Sequence, residues 1–131
     1  MAALEEIAAM IAATVPGFTV GTNLFLLEMP DQPDNAASLT PYGGGQGVLK
    51  GERGLPIDEL PRFQVRVRHR SPPIAEAWAR SLYEALHVRL SPVGSTPYLY
   101  LEPLQPPYYL EKDASRRTVY VFNVEARRLA R

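Results

Sequence analysis

The stretch from Pro61 to Leu86 constrains the fold more than any other part of the chain. It reads PRFQVRVRHR, then SPP, then IAEAWARSLYEAL. Between Arg62 and Arg70 the residues alternate. Phe63, Val65, Val67 and His69 fall on one side; Arg62, Gln64, Arg66, Arg68 and Arg70 fall on the other. A period of two with β-branched and aromatic residues predicts a strand with one buried face. Pro72 and Pro73 cannot donate to a ladder and end it. Ser71 stands where a helix cap is needed, and the first turn of a helix tolerates proline. Ile74, Ala77, Trp78, Ser81, Leu82, Ala85 and Leu86 then recur at helical spacing and predict one apolar stripe, with Glu76, Arg80 and Glu84 opposite it. A one-sided strand leading directly into a one-sided helix predicts the helix laid on the sheet. Trp78, Leu82, Phe63, Val65 and Val67 are expected in one core.

The rest of the chain reads as further strands and one more helix. Leu4, Ile7, Ala8, Ile11 and Val15 mark a face of a helix from about Ala3 to Val15, ended by Pro16 and Gly17. Glu5 and Glu6 lie near its N-terminus, where the helix dipole favours them. Strands are expected at Thr22–Glu28, at Ala36–Tyr42 (marginal or at an edge because of Pro41), at Tyr98–Gln105 and at Arg116–Arg127. MPDQPDN at Met29–Asn35 reads as a turn. His87–Pro97 and Pro106–Ser115 read as connections. Gly43–Leu60 is glycine-rich and aperiodic, and is expected to be a flexible loop at about 43–61. The expected fold is α+β: a single domain over residues 1–131, with a mixed, mostly antiparallel sheet of about four to five strands and two helices packed on one face.

Composition narrows the function classes. A chain of 131 residues buries roughly two-thirds of its unfolded surface, enough for a core without staples. It contains no cysteine, which excludes disulfides and thiolate metal sites. Its formal net charge is zero, so any affinity for polyanions must come from a local patch. No apolar run approaches the roughly 20 residues that span a bilayer. The N-terminal segment has Glu5 and Glu6 where a signal peptide is positive, so it reads as a helix of a soluble, unexported protein.

No catalytic constellation stands out. GGGQGVLK at Gly43–Lys50 lacks the hydroxyl residue after lysine, and the following helix, that a phosphate loop needs. His69 and His87 are the only histidines, far apart in sequence, with no metal-ligand spacing. The unusual feature is the arginine side of the central strand. It is either a solvated face balanced by carboxylates such as Glu125 or Glu102, a subunit interface, or a surface for phosphates. Neither a cofactor nor an enzymatic activity is expected.

The chain also resembles, over nearly its whole length, the bacteriophage minor capsid family that acts as tail terminators or head–tail joining proteins. The resemblance rests on the N-terminal helix, TNLFLLEMPDQPDNAASL with its PDNA turn, the glycine-rich stretch and PRFQVRVR. It continues through the Ala-rich helix, the Tyr-Leu strand, PPYYLEKD and the final VYVFNVEARR. It implies a virion structural protein that caps the tail tube as an oligomeric, often hexameric, ring and joins tail to head. The implied partners are further copies of itself, the tail-tube protein and the head connector or neck protein, with no membrane and no specific nucleic acid. The implied location is the tail or neck of the virion, reached by assembly in the host cytoplasm. Arg62, Arg66, Arg68, Arg70, Gly43, Gly44, Gly45, Lys50 and Arg53 are the expected interface residues. A nucleic-acid-binding module using the Arg62–Arg70 face is the alternative.

Overall fold

The structure, a computed structural model, describes residues 3–129 apart from 52, 53 and 56. The elements follow in the order α1 (Ala3–Thr14), β1 (Leu24–Leu26), β2 (Ala36–Pro41), β3 (Gly45–Gln46), β4 (Asp58–Leu60), β5 (Arg62–His69), α2 (Pro72–Ala85), β6 (Val88–Val93), β7 (Thr96–Pro103), β8 (Tyr108–Lys112) and β9 (Thr118–Leu129).

β9 is the spine. On one flank it pairs antiparallel with β5 and then β4, which are one run of chain interrupted only at Pro61. Proline has no N–H for the ladder, but its carbonyl still accepts from the Ala126 N–H at 3.0 Å, so the column stays aligned. On the other flank β9 pairs with β7 and then β8, separated by Leu104–Pro107. There the Leu104 N–H bonds the Asn123 carbonyl at 2.7 Å, and Gln105 Oε1 accepts the Asn123 N–H at 2.7 Å. β2 and β3 form the next column beyond β5 and β4, broken at Tyr42–Gly44. β1, the sole parallel member among the described strands, lies outside β2, and β6 lies outside β7.

The sheet is mixed and mostly antiparallel as expected, but it is larger than four to five strands. Among the described residues it has nine strands, of which β3 is only two residues long. β3, β4, β6 and β8 fall where loops were expected. The physical reason is column interruption. Glycine at 43–44 and proline at 61, 103, 106 and 107 cut β3, β4 and β8 off the longer strands of their columns, leaving pieces of two to five residues too short to show a period of their own. β2 is also interior: it is hydrogen-bonded on both sides, and Ala36 to Leu39 are all buried. Pro41 is tolerated because it occupies the last position of the strand.

Both helices bury their stripes in one cluster with Leu39, Phe63, Val65, Val67, Phe122 and Val124. Trp78 packs at its margin, edge-on to Phe18 at 5.0 Å and to His69 at 4.8 Å. The buried face of α2 is Ala75, Ala79 and Leu82, continued by Leu86, so the stripe is rotated from the expected one and Ile74 is exposed. The small Ala75 and Ala79 are fully buried, which lets the helix backbone come close to the layer beneath. Ser71 makes no side-chain cap. Instead its N–H donates to Nδ1 of His69 at 2.9 Å, so the ring of the strand's last residue secures the joint. α1 touches β1 and β2 near one edge of the sheet and β6 at the other, so the sheet curls around it.

Candidate functional site

The alternating arginines of β5 do share one face, and the register explains their partners. Arg62 lies opposite Glu125 on β9, and its Nε reaches Oε2 at 2.7 Å. Tyr100 donates its hydroxyl to the other oxygen of Glu125 at 2.6 Å. The Tyr100 hydroxyl and then the Arg62 guanidinium hold Glu125 below the usual carboxylate range, against the opposing effect of burial. Tyr100 itself is pushed up to about 12, by burial first and then by Glu125. Arg66 meets Glu111 of β8 at 3.2 Å, a pair open to solvent on both sides. Arg70 meets Asp34 at 2.5 Å, and the bond to Arg70 is the main reason the Asp34 pKa is lowered.

Arg68 behaves differently. It is 6% exposed, and its guanidinium donates to four backbone carbonyls of one turn: Pro30 at 2.7 Å, Asp31 at 3.2 Å, Pro33 at 2.6 Å and Asp34 at 3.0 Å. Arg117, equally buried, grips the same turn through Asp31 at 2.9 Å and Asp34 at 3.2 Å, and grips Asp113 at 2.8 Å. Burial works to raise the Asp113 pKa, but the backbone N–H and guanidinium of Arg117 outweigh it and hold it low. The PDQPDN turn and the QVRVR strand, separate signals in the sequence, are thus two halves of one clamp. With Arg62, Arg68 and Arg70 engaged in this way, the arginine face is not a continuous cationic track.

The glycine-rich stretch lies beside this face. Gly43, Gly44 and Gly45 and Lys50 are exposed, while Arg53 lies outside the described residues. Gly44 has φ +124°, and a Cβ there would stand 3.0 Å from the Leu60 carbonyl oxygen. Gly47 is tighter: a Cβ would stand 1.9 Å from Oδ1 of Asp58. Asp58 is buried and accepts the Leu49 N–H at 3.0 Å, so it ties the β3–β4 hairpin from inside.

One buried polar cluster has only a faint signature in the sequence. Glu6 of α1 is 2% exposed; it pairs with Arg128 at 2.5 Å, accepts from Tyr98 OH at 3.2 Å and from the Thr96 hydroxyl. Arg128 also meets Glu59 at 2.5 Å. The available signal was position: Glu6 is three residues after Ala3 and four before Met10, on the apolar face of α1. Among the described residues no three His, Cys, Asp or Glu side chains are grouped to hold a metal.

His69 gives the domain a pH dependence. Burial lowers its pKa from 6.5. The unfolded chain therefore takes up this proton before the folded one does, and stability is lost as pH falls below 6.5. Asp34, Asp113 and Glu125, all held low, add a second loss below the ordinary carboxylate values of 3.8 and 4.5. His69→Gln is expected to flatten the melting temperature between about pH 7 and pH 5 while leaving the steeper acid limb in place. An unchanged slope in the variant would show that another group titrates there.

Comparison with known proteins gives a consistent answer. The family described as "Bacteriophage tail terminator protein" matches residues 13–129. Among solved structures, a chain of the "Virion of native gene transfer agent (GTA) particle" has a similar fold. Its TM-score is 0.61 at 16% identity, covering 94% of this chain and 84% of that one. No curated protein matches the sequence.

Proposed function

This chain belongs to the bacteriophage tail terminator family, and from that premise we propose that it closes into a ring on the last row of the phage tail tube. There it stops tube growth and offers the head connector its docking surface. A tail structural protein of this family acts through shape and surface matching. The observation that carries the reading is the family match over residues 13–129, joined to a fold shared with a chain of a phage-like virion particle. A ring of identical subunits needs a head-to-tail contact between two different patches that closes by rotation. The solvent-open Arg66–Glu111 pair, the exposed Arg70 and the exposed Gly43–Gly45 and Lys50 stretch are the surfaces offered for that purpose. Charges there select partner and orientation more than they add affinity. Arg68 serves the surface by shaping it, since its guanidinium is buried against the 30–34 turn.

The reading is tested by electron microscopy of particles made without this protein. Unjoined tails of irregular or excessive length are expected. Tails of normal length attached to heads would refute it. Arg66→Glu is expected to change stability by no more than about 1 kcal/mol, as an exposed ion pair allows, while reducing ring formation on tubes. Rings formed as readily by this variant as by the unsubstituted protein would remove Arg66 from the interface.

A further inference from the structure

Among the described residues, three non-glycine residues have a left-handed backbone, and two of them are exposed leucines: Leu27 (φ 75°) and Leu90 (φ 48°). Leu27 is 60% exposed and Leu90 is 81% exposed. A bulky residue with positive φ is strained, and a leucine in water gains nothing from being held there. Hydrogen bonds from the Leu27 N–H to the Leu39 carbonyl and from the Thr40 hydroxyl to the Leu27 carbonyl, both 2.9 Å, hold the first backbone in place, but neither side chain gains burial from it, and such strain is a reason to look for function there.

The two leucines occupy different settings. Leu90 has no ladder partner of its own, although the β6–β7 register runs unbroken past it, with Arg89 opposite Tyr100 and Ser91 opposite Tyr98; its exposed side chain is a knob on the outer strand. Leu27 lies on the wall of an open groove of about 440 Å³, lined by Leu4, Glu5, Leu26, Leu27, Pro41 and Pro61 and almost wholly apolar. The charges beside them are opposite. Arg89, next to the knob, has a side chain 79% exposed and only a loose, solvent-open pair with Glu102 at 3.2 Å. Glu5, on the rim of the groove, is exposed.

We propose that Leu90 of one subunit seats in the Leu27 groove of the next copy of this chain, with Arg89 meeting Glu5 across the contact. This rests on the ring reading above and deepens it by naming a subunit contact. A knob and a groove are different patches, which is what a closing head-to-tail interface requires. Docking removes the knob from water, and an aliphatic anchor buried in a pocket is one form of interface centre. The exposed leucine then has a use that the isolated subunit does not give it.

The chain has no cysteine, so engineered thiols report contacts cleanly. Leu27→Cys and Leu90→Cys are prepared separately, mixed as subunits, assembled on tail tubes and oxidised. The mixture is expected to yield reductant-sensitive dimers, and each variant alone none. Dimers from Leu90→Cys alone would mean knob against knob and overturn the proposal. Absence of cross-linking in the mixture, while the unsubstituted protein forms rings, overturns the contact but spares the ring. Failure of the unsubstituted protein to form rings, with or without tubes, overturns both. Leu90→Gly supplies an independent signature. It relieves the backbone, so the free subunit should melt at a higher temperature, while assembly weakens at least about tenfold. Unimpaired assembly of Leu90→Gly counts against the proposal.

Discussion

Arg68→Ala is expected to destabilise the fold by about 3 kcal/mol, several times the effect of Arg66→Ala on the same strand face. The difference follows from what each guanidinium touches. Arg66 has a solvent-open partner in Glu111, and such pairs are worth about 0–1 kcal/mol. Arg68 is buried, directly opposite Val119, which is itself fully buried. It supplies donors to four carbonyls of the 30–34 turn. Hydrogen bonds to a charged group are worth about 1.5–3 kcal/mol each, but the turn is largely exposed and its carbonyls regain water when the clamp is lost, so the total falls well below the sum. Arg68→Met keeps most of the stem and loses the donors. It should cost nearly as much as alanine if the clamp is what matters. Urea unfolding measures all three, and limited proteolysis should find the 30–34 turn cleaved first in both Arg68 variants. Equal midpoints for Arg66→Ala and Arg68→Ala would show that the clamp contributes nothing.

Glu6→Ala is expected to cost about 3–5 kcal/mol, as much as truncating a large core side chain. The reason is what remains behind. Arg128 keeps Glu59 but loses its partner on the buried side, while Tyr98 and Thr96 lose their acceptor. Burial and then the nearby Glu6 carboxylate both push the Tyr98 hydroxyl pKa upward, so this hydroxyl stays protonated and acts as a donor. Glu6→Gln keeps one of the two acceptor oxygens, turns the other into an amide donor and removes the charge, so it should fall between. Replacing both members, Glu6→Leu with Arg128→Met, should cost less than the two single substitutions added together, because no buried charge is orphaned. Strict additivity in that cycle would mean that the two residues are not coupled. The cluster also fixes how the curled sheet closes. It joins α1 to β7 and β9, which lie at opposite ends of the chain.

The central strand–helix unit was legible in the residues themselves. The strict alternation from Arg62 to Arg70 specifies which side chains face the helices, and the observed burial of Phe63, Val65 and Val67 agrees. The two helices, the last strand and the α+β class were legible for the same reason: a repeating spacing survives in a segment long enough to contain several repeats. The match of α2 was imperfect because Ala75 and Ala79 carry no strong hydrophobic signal, yet their smallness is what brings the helix down onto the sheet. The arginine face was visible as a pattern, but its meaning was not. Arg66 and Arg68 are two residues apart and chemically identical, and nothing local distinguishes the exposed one from the buried one.

What the sequence determined by itself is therefore local: period, breakers, and the family marks at PDNA and QVRVR. The tertiary structure decided everything that depends on distant pairing. It placed four strands in three apparent loop segments, because a two- to six-residue strand is held by its neighbour and not by its own pattern. It buried Glu6 by bringing Arg128, 122 positions away, to its side. It made one arginine a clamp and its neighbour a surface group, because the 30–34 turn folds over only one of them. A side chain's alternation is written in its own strand, but its partners are supplied by whichever segments the whole chain brings alongside.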